Sequence, residues 1–526
     1  MAERHVTLYN ILVVVASTVA SILLGYQTGS VAYTLGQVSW YNQMGLAMSP
    51  TQPGYSHTVT ITSAVTGAYY AFGFLGSIAI GPFMNIFGRI SAFRFALFWH
   101  IAGSVIGAGA MNQAMYIVHR CLIGFASGNS LCIGPVYLSE IAPPLSRGAM
   151  AGMHAFGQNF GFCLGAWIGY STSFASTSTT FGFRFPLAVP LIFGLVALGL
   201  TFWMPESPRW LTVKGRKADA LNVLTRLHQA PGDTTNEYAR KEAHEIMAQI
   251  AIDEAALKGR SEYAVLLTDK VHRKQLLFAI LVVAGAMNTG VLVISNYSVI
   301  IYTSLGNSTS VSLLLNAVWL TLATVWNLVG AIFADNLRRR RGLVIGYAGA
   351  FICLILFTAL TAKFTQTGGR SYAIGSVFFN FLFELFYGAF IDPQVWVLAG
   401  ELFPTHLRTK GGSIAIAGFF VLNVVWTEAA PTAFVNIGWR YYILFVCLTG
   451  LQGLLIYFFL PETANVPLEE LEELFGGRVA IHMDEIDVAA TGNIENTGDT
   501  YDKNLEQGHV GSKSHEYTHA EDAGSD

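Results

Sequence analysis

Charge is what this sequence has least of. Only 12% of its 526 residues are Asp, Glu, Lys or Arg, where a soluble domain carries about 25%. The start, MAERHVTLYN, lacks the short apolar core and small-residue cleavage site of a signal peptide, so the first apolar run is expected to be a membrane span. The five cysteines, Cys121, Cys132, Cys163, Cys353 and Cys447, form no close CxxC pair, which argues against a zinc site or a disulfide framework. They are expected to pack as small apolar side chains between helices. No phosphate-cradling Walker loop is present, so ATP-driven work is not indicated. No catalytic constellation stands out either: the expectation is a non-enzyme without cofactor or metal, and with no nucleic-acid partner.

What is abundant is hydrophobic sequence, 53% of the chain. Apolar runs fall near 9–33, 60–83, 93–111, 115–138, 149–171, 183–204, 276–303, 311–333, 342–362, 374–399, 411–431 and 439–460. Each is long enough to cross a hydrocarbon core about 30 Å thick. In lipid such runs must be helices, because the bilayer cannot satisfy free backbone groups. The expected fold class is an all-α polytopic membrane protein with 12 transmembrane helices, numbered here spans 1 to 12, whose solvent is the lipid bilayer. Arg89, Arg94, Arg147, the 209–274 segment, Arg338 to Arg341, Arg408 and Lys410 fall on one side if the spans alternate. Lys363 and Arg370 are the exceptions. The basic side is read as cytosolic, with both termini there.

The expected organisation is a cytosolic N-terminus (1–8), a six-helix bundle (9–204), a cytosolic linker of short amphipathic helices (205–275), a second six-helix bundle (276–460), a cytosolic PET segment and helix (461–475) and a disordered cytosolic tail (476–526). The tail is too poor in apolar residues to offset its ordering entropy. The bundles look like copies. Glu140 precedes Arg147 by seven positions, and Glu401 precedes Arg408 by seven, at an offset of 261. PESPRWL at Pro205 returns as PETANVPL at Pro461, and NIFGR at Asn85 returns as DNLRR at Asp335. Parallel repeats of this kind imply a pseudo-two-fold axis along the membrane normal and a binding site between the halves.

The motifs RCLIGFASG (Arg120–Gly128), PVYLSEIAPPLSRG (Pro135–Gly148), PESPRWL (Pro205–Leu211), ELFPTHLRTKG (Glu401–Gly411) and PETANVPLEELEELF (Pro461–Phe475) resemble those of sugar porters of the major facilitator superfamily, and of its fungal members most. The resemblance covers residues 10–475. It implies two pseudo-symmetric bundles, alternating access, and a sugar or sugar-like solute as cargo at a fungal plasma membrane. It also implies a cytosolic gate at Glu140, Arg147, Asp335, Arg339, Glu401 and Arg408. The competing reading of those charges is anchoring at the membrane interface.

Departures from the family pattern bear on mechanism and cargo. Asn85 stands in an acidic place of the loop after span 2, so the first-half lock is expected to be weaker than the second. In span 7, Ala286 and Met287 replace two glutamines, Leu292 replaces an asparagine and Asn296 a tyrosine. Losing those amides favours a non-sugar solute, such as a quinate-like acid or a secondary metabolite, as the alternative cargo. A nutrient sensor that does not transport is a third reading. Solute contacts are expected from Gln158, Asn288, Asn296, Trp396 and Asn423, with Thr289 and Ser295 as further polar groups of span 7. Asn307 heads an Asn-Ser-Thr sequence in an outer loop, a weak glycosylation signal.

Proton-coupled relatives commonly carry GYDxG in span 1, with the aspartate beside the span 4 arginine. Here the motif is GYQTG, with Gln27 opposite Arg120. An amide does not titrate but its carbonyl accepts from a guanidinium. The expectation is facilitated diffusion, or coupling to protons through another acid such as Glu384. Asp392, Glu428, His100 and His154 are the remaining ionisable groups in spans.

Overall fold

The computed structural model describes residues 6–49, 51–143, 146–176, 179–229, 236–257, 259–334, 337–463, 466 and 473–476. The expected tail and Asp335 lie outside the described residues. Everything regular among the described residues is helical. Ten helices are long and apolar enough to cross a membrane. They are span 1 (Leu8–Leu35), span 2 (Tyr55–Phe87), span 3 (Arg89–Ala108), span 4 (Gln113–Ile141), span 6 (Phe181–Leu200), span 8 (Thr309–Phe333), span 9 (Arg339–Thr367), span 10 (Arg370–Glu401), span 11 (Arg408–Asn436) and span 12 (Gly438–Phe459). Span 5, Arg147–Thr172, is a glycine-rich continuous helix. Span 7 is broken into Lys270–Val283, a 3-10 turn at Gly285–Thr289, Val291–Asn296 and Ser298–Ser304. The break has a backbone cause: Gly290 sits at φ +75°, a left-handed conformation that ends the 3-10 turn.

Most spans run a few residues past their apolar stretches, and in four of them the added first turn opens on an arginine. Arg89, Arg147, Arg339 and Arg408 are the first residues of spans 3, 5, 9 and 11. Hydropathy stops at the arginine, whereas the helix only has to satisfy its own backbone and continues to the interface.

The repeat is visible in the packing. Span 1 packs on span 5, span 2 on span 4 and span 3 on span 4. In the second half span 7 packs on span 11, span 8 on span 10 and span 9 on span 10. Adding six to each number converts one set into the other. The seam between halves has the same symmetry, since span 2 meets span 11 and span 5 meets span 8. Close packing relies on missing side chains. A Cβ on Gly25 would lie 1.8 Å from the Gln158 carbonyl oxygen, so spans 1 and 5 touch backbone to backbone.

Large apolar side chains such as Phe98, Ile192, Phe202 and Phe458 are exposed on the outer faces, where lipid would cover them. Cys447 is also exposed there, while Cys132, Cys163 and Cys353 are buried. Interhelical packing therefore does not describe Cys447.

The linker forms four helices, Pro208–Val213, Lys217–His228, Glu237–Leu257 and Glu262–Thr268. The first three are docked beneath the first half, whereas Glu262–Thr268 packs against spans 7 and 11 of the second. His228 Nδ1 lies 2.6 Å from Glu242 Oε2 and its Nε2 lies 2.9 Å from the Ile141 carbonyl oxygen. Thr7 Oγ1 donates to the Leu227 carbonyl at 3.0 Å, tying the start of span 1 to the same layer.

Candidate functional site

At the basic end of the bundle, Glu140 is fully buried and its carboxylate is gripped by Arg89. Arg89 Nε and Nη2 donate to its two oxygens, each at 2.8 Å, a bidentate pair. Arg408 Nη1 of the second half lies 3.6 Å from the same carboxylate. Arg209 of the PESPRWL motif donates to the Glu140 carbonyl at 2.7 Å. The second half repeats the plan, with Arg339 Nη2 3.6 Å from Glu401. Arg147 donates to the Val466 carbonyl at 3.0 Å, reaching the PET segment of the second half.

Two acids that sequence reasoning left unassigned anchor this layer. Glu206 accepts from the backbone N–H groups of Arg89 and Ile90 at 2.8 and 3.1 Å. Glu462 accepts from those of Arg339 and Arg340 at 2.7 and 3.3 Å. Each carboxylate satisfies the otherwise free N–H groups that open a helix. Burial pushes the Glu206 carboxyl up from its ordinary value, against the backbone donors that hold it down. The signal was available: PESPRWL and PETANVPL place an acid after proline at an offset of 256.

Asn85 is not idle. Its Oδ1 accepts from Thr409 Oγ1 of the second half at 2.7 Å, and its Nδ2 donates to Glu262 of the linker at 3.3 Å. Glu262 also pairs with Lys410 at 2.7 Å. The acid missing at position 85 is thus supplied from the linker. These residues border a cavity of about 360 Å³ between both halves and the linker, lined also by Arg89, Trp210 and His406.

Midway along the bundle a second cavity lies between the halves. Gln158 and Asn159 of span 5 face Glu384, Tyr387, Asp392 and Trp396 of span 10 across it. Its volume is about 40 Å³, room for about three waters, whereas sites for drug-sized ligands occupy about 300–1,000 Å³. A π-helical turn, Tyr387–Ile391, separates Glu384 from Asp392. Such turns recur at functional sites because they re-aim side chains. Asp392 accepts from Asn159 Nδ2 at 2.8 Å, across the halves, and from Trp396 Nε1 at 2.9 Å. Met287 and Leu292, the span 7 replacements, are part of the apolar wall.

Hydrogen bonds cross the seam on either side of the cavity. Toward the basic end, Ser139 Oγ donates to the Gly400 carbonyl at 3.2 Å, near the Glu140–Arg408 pair. Toward the other end, Asn296 Nδ2 donates to Tyr70 at 2.8 Å and Trp167 Nε1 donates to Thr321 at 2.9 Å, both across the seam.

Of the expected solute contacts, Gln158 and Trp396 line this cavity, and Ser295 and Glu384 join them. Three do not. Asn288 is half-buried on the 3-10 turn, Asn296 holds Tyr70, and Asn423 donates to the Phe419 carbonyl in its own helix at 2.9 Å. Thr289 is likewise spent within span 7, on the Ala286 carbonyl. Glu428 is exposed. The Asn307 amide nitrogen, the atom a glycan would occupy, donates to the Tyr302 carbonyl at 2.9 Å.

The expected contact between the Gln27 amide and Arg120 is corrected. Gln27 Oε1 faces His100 Nδ1 instead, and its Nε2 donates to Ser104 Oγ at 2.6 Å. Only the Gln27 backbone carbonyl meets Arg120, at 3.4 Å. Arg120 donates to Ser30 Oγ at 2.7 Å and to the Val65 carbonyl at 3.2 Å, and lies 4.3 Å from the centre of the Tyr69 ring. It has no carboxylate partner among the described residues. His154 bonds Ser21 at 2.9 Å and packs edge-on against Trp396, one layer behind the cavity.

Comparison with known proteins agrees with this architecture. The family described as Sugar (and other) transporter matches residues 12–475. The MFS-type transporter criB of Aspergillus cristatus is 30% identical over 473 residues, 90% of this chain and 95% of its own. The quinate permease of Neurospora terricola is 28% identical over 472 residues, 87% of each chain. Among solved structures, the proton:xylose symporter XylE of E. coli bound to 6-bromo-6-deoxy-D-glucose superimposes with a TM-score of 0.78 at 22% identity, covering 89% of this chain and 99% of that one. The family and these relatives are transporters, not enzymes. The chain is a multi-pass membrane protein that belongs to the sugar transporter family of the major facilitator superfamily.

Proposed function

We propose that the chain carries a small, hydroxylated ring solute across the fungal plasma membrane by alternating access around the central cavity, with both termini cytosolic. The observation that carries this reading is one cavity between the halves, bounded by Gln158 and Asn159 of one half and Glu384, Asp392 and Trp396 of the other. Rocking the halves apart at either end opens that cavity to one side only. The buried Glu140–Arg89–Arg408 cluster and its repeat Arg339–Glu401 serve as the cytosolic gate.

Position 27 contributes no proton step, since its amide does not titrate and is held by His100 and Ser104. Transport is facilitative, or takes its proton through an acid of span 10. A non-sugar cargo is the second reading. It is supported by Met287 and Leu292, which put apolar surface where the sugar-binding pattern has amides. The name quinate permease on a relative points the same way.

The test is uptake by the purified full chain in liposomes, for a panel of hexoses, polyols and ring acids at two pH values with and without a protonophore. Uptake of at least one ring solute, insensitive to the protonophore or lost in Glu384→Gln, is expected. No uptake of any member refutes the reading. A protonophore-sensitive uptake that survives Glu384→Gln removes both coupling options.

A further inference from the structure

The charge of the cargo is written in the wall of the central cavity. Two carboxylates, Glu384 and Asp392, line it, and no Lys, Arg or His does. Asp392 is satisfied by Asn159 and Trp396. Glu384 is 2% exposed, and its Oε2 has no hydrogen-bond donor among the described residues. Independently, Gln158, 7% exposed and on the opposite half, presents an Oε1 that also lacks a donor. Two buried acceptors on facing walls of one cavity are thus unmet.

A buried acceptor without a donor is costly, and a buried unpaired carboxylate more so. A solute that satisfies both atoms must donate hydrogen bonds on two sides, and one that carries positive charge compensates the acid as well. Apart from Asn159, Ser295 and Tyr387, the rest of the wall is apolar or aromatic, and Phe162, Met287, Trp319 and Phe419 fit the body of a ring rather than a second charge. A carboxylate-bearing solute would instead meet two acids with no cation nearby.

We propose that the cavity selects a ring solute bearing a protonated amine, with Glu384 as its counter-charge and Gln158 as its second acceptor, and that it rejects ring carboxylates. This rests on the central cavity being the transport site; it narrows the cargo of that site by charge and excludes the quinate-like acid of the second reading.

The experiment uses the full chain and two matched series: glucose, glucosamine and glucuronate, then cyclohexanol, cyclohexylamine and cyclohexanecarboxylate. Binding is read as thermal stabilisation of the purified protein and as transport in liposomes. The amine is expected to act at a concentration at least tenfold lower than its neutral partner in one series or both, and the acids to do nothing. Glu384→Gln should cut the amine preference below threefold. Asp392→Asn provides a second variant should the first fail to fold, and the wild-type comparison decides without either.

Equal action of amine and neutral members in both series, binding of the acids, or a preference that survives both substitutions overturns the proposal. Transport of a neutral member without amine preference overturns this proposal alone. Failure of every solute to bind or move overturns it together with the transport reading.

Discussion

Glu140 and Arg408 lie 3.6 Å apart across the seam between the two halves, both withdrawn from solvent, and Arg89 holds the same carboxylate from within its own half. A pair buried this deeply does not gain much over an apolar contact of equal shape, because desolvating the charges offsets their attraction. Removing one member is different, since it strands the others. Glu140→Gln is therefore expected to cost about 3–5 kcal/mol, the range for breaking a buried pair. Thermal unfolding in detergent reads this loss. Because the stranded Arg408 belongs to the second half, the seam at this basic end should also open. A cysteine placed at Ser139, which now touches the Gly400 carbonyl, should react with a thiol reagent at least tenfold faster in the variant. Unchanged labelling would exclude a gate role.

The two capping acids give a prediction with a pH sign. Glu206→Ala removes the acceptor for the first N–H groups of span 3, and helix-cap losses of this kind cost about 0.5–2 kcal/mol. Burial raises the Glu206 carboxyl above its ordinary value of 4.5. A group whose folded pKa lies above its unfolded one takes a proton more readily in the folded state, so its linkage favours the fold as pH falls. Between neutral pH and the ordinary glutamate range, the melting temperature of wild type should therefore rise relative to that of Glu206→Gln, because only the wild-type carboxyl takes up a proton in the folded state. A wild type that loses stability relative to Glu206→Gln on acidification contradicts the burial argument.

How much of this was legible beforehand divides by physics. The spans were, because apolar runs of about 20 residues admit one structure in lipid. Their ends were not, since Arg89, Arg147, Arg339 and Arg408 stop the hydropathy before they stop the helix. Gln158 and Trp396 were found because motif spacing fixes their place on a span. Asn159 and the π turn at Tyr387–Ile391 were not, since one residue of added helical twist leaves no mark in composition. Gln27 and Arg120 were placed near each other, but the rotamer was not. Which neighbour an amide chooses depends on His100 and Ser104, far away in sequence.

That choice has a measurable consequence. If the Gln27 side chain is bonded to span 3 rather than to Arg120, then Gln27→Leu leaves Ser104 and His100 short of a partner. It should lower stability by about 1–3 kcal/mol, the penalty for a buried polar group left unmet. Arg120 keeps Ser30, Val65 and Tyr69, so the pH profile of uptake should not move. A shifted profile in Gln27→Leu would place this residue in the proton path after all.

Asn85 yields the least intuitive expectation. Restoring the acid of the family pattern by Asn85→Asp should impair this protein rather than improve it. The amide now donates to Glu262 at 3.3 Å and its oxygen accepts from Thr409. An aspartate there loses the donor and faces a carboxylate already paired with Lys410. Both members of that ion pair are partly exposed, so the repulsion is screened and the loss modest, about 1 kcal/mol or less. Glu262→Gln in the same chain should restore the stability lost, because it removes one of two like charges while keeping an acceptor for Lys410. A double-mutant cycle on melting temperature and on uptake measures the coupling directly. Additive losses would mean that Glu262 and position 85 do not share one site, and that the linker does not stand in for the missing acid.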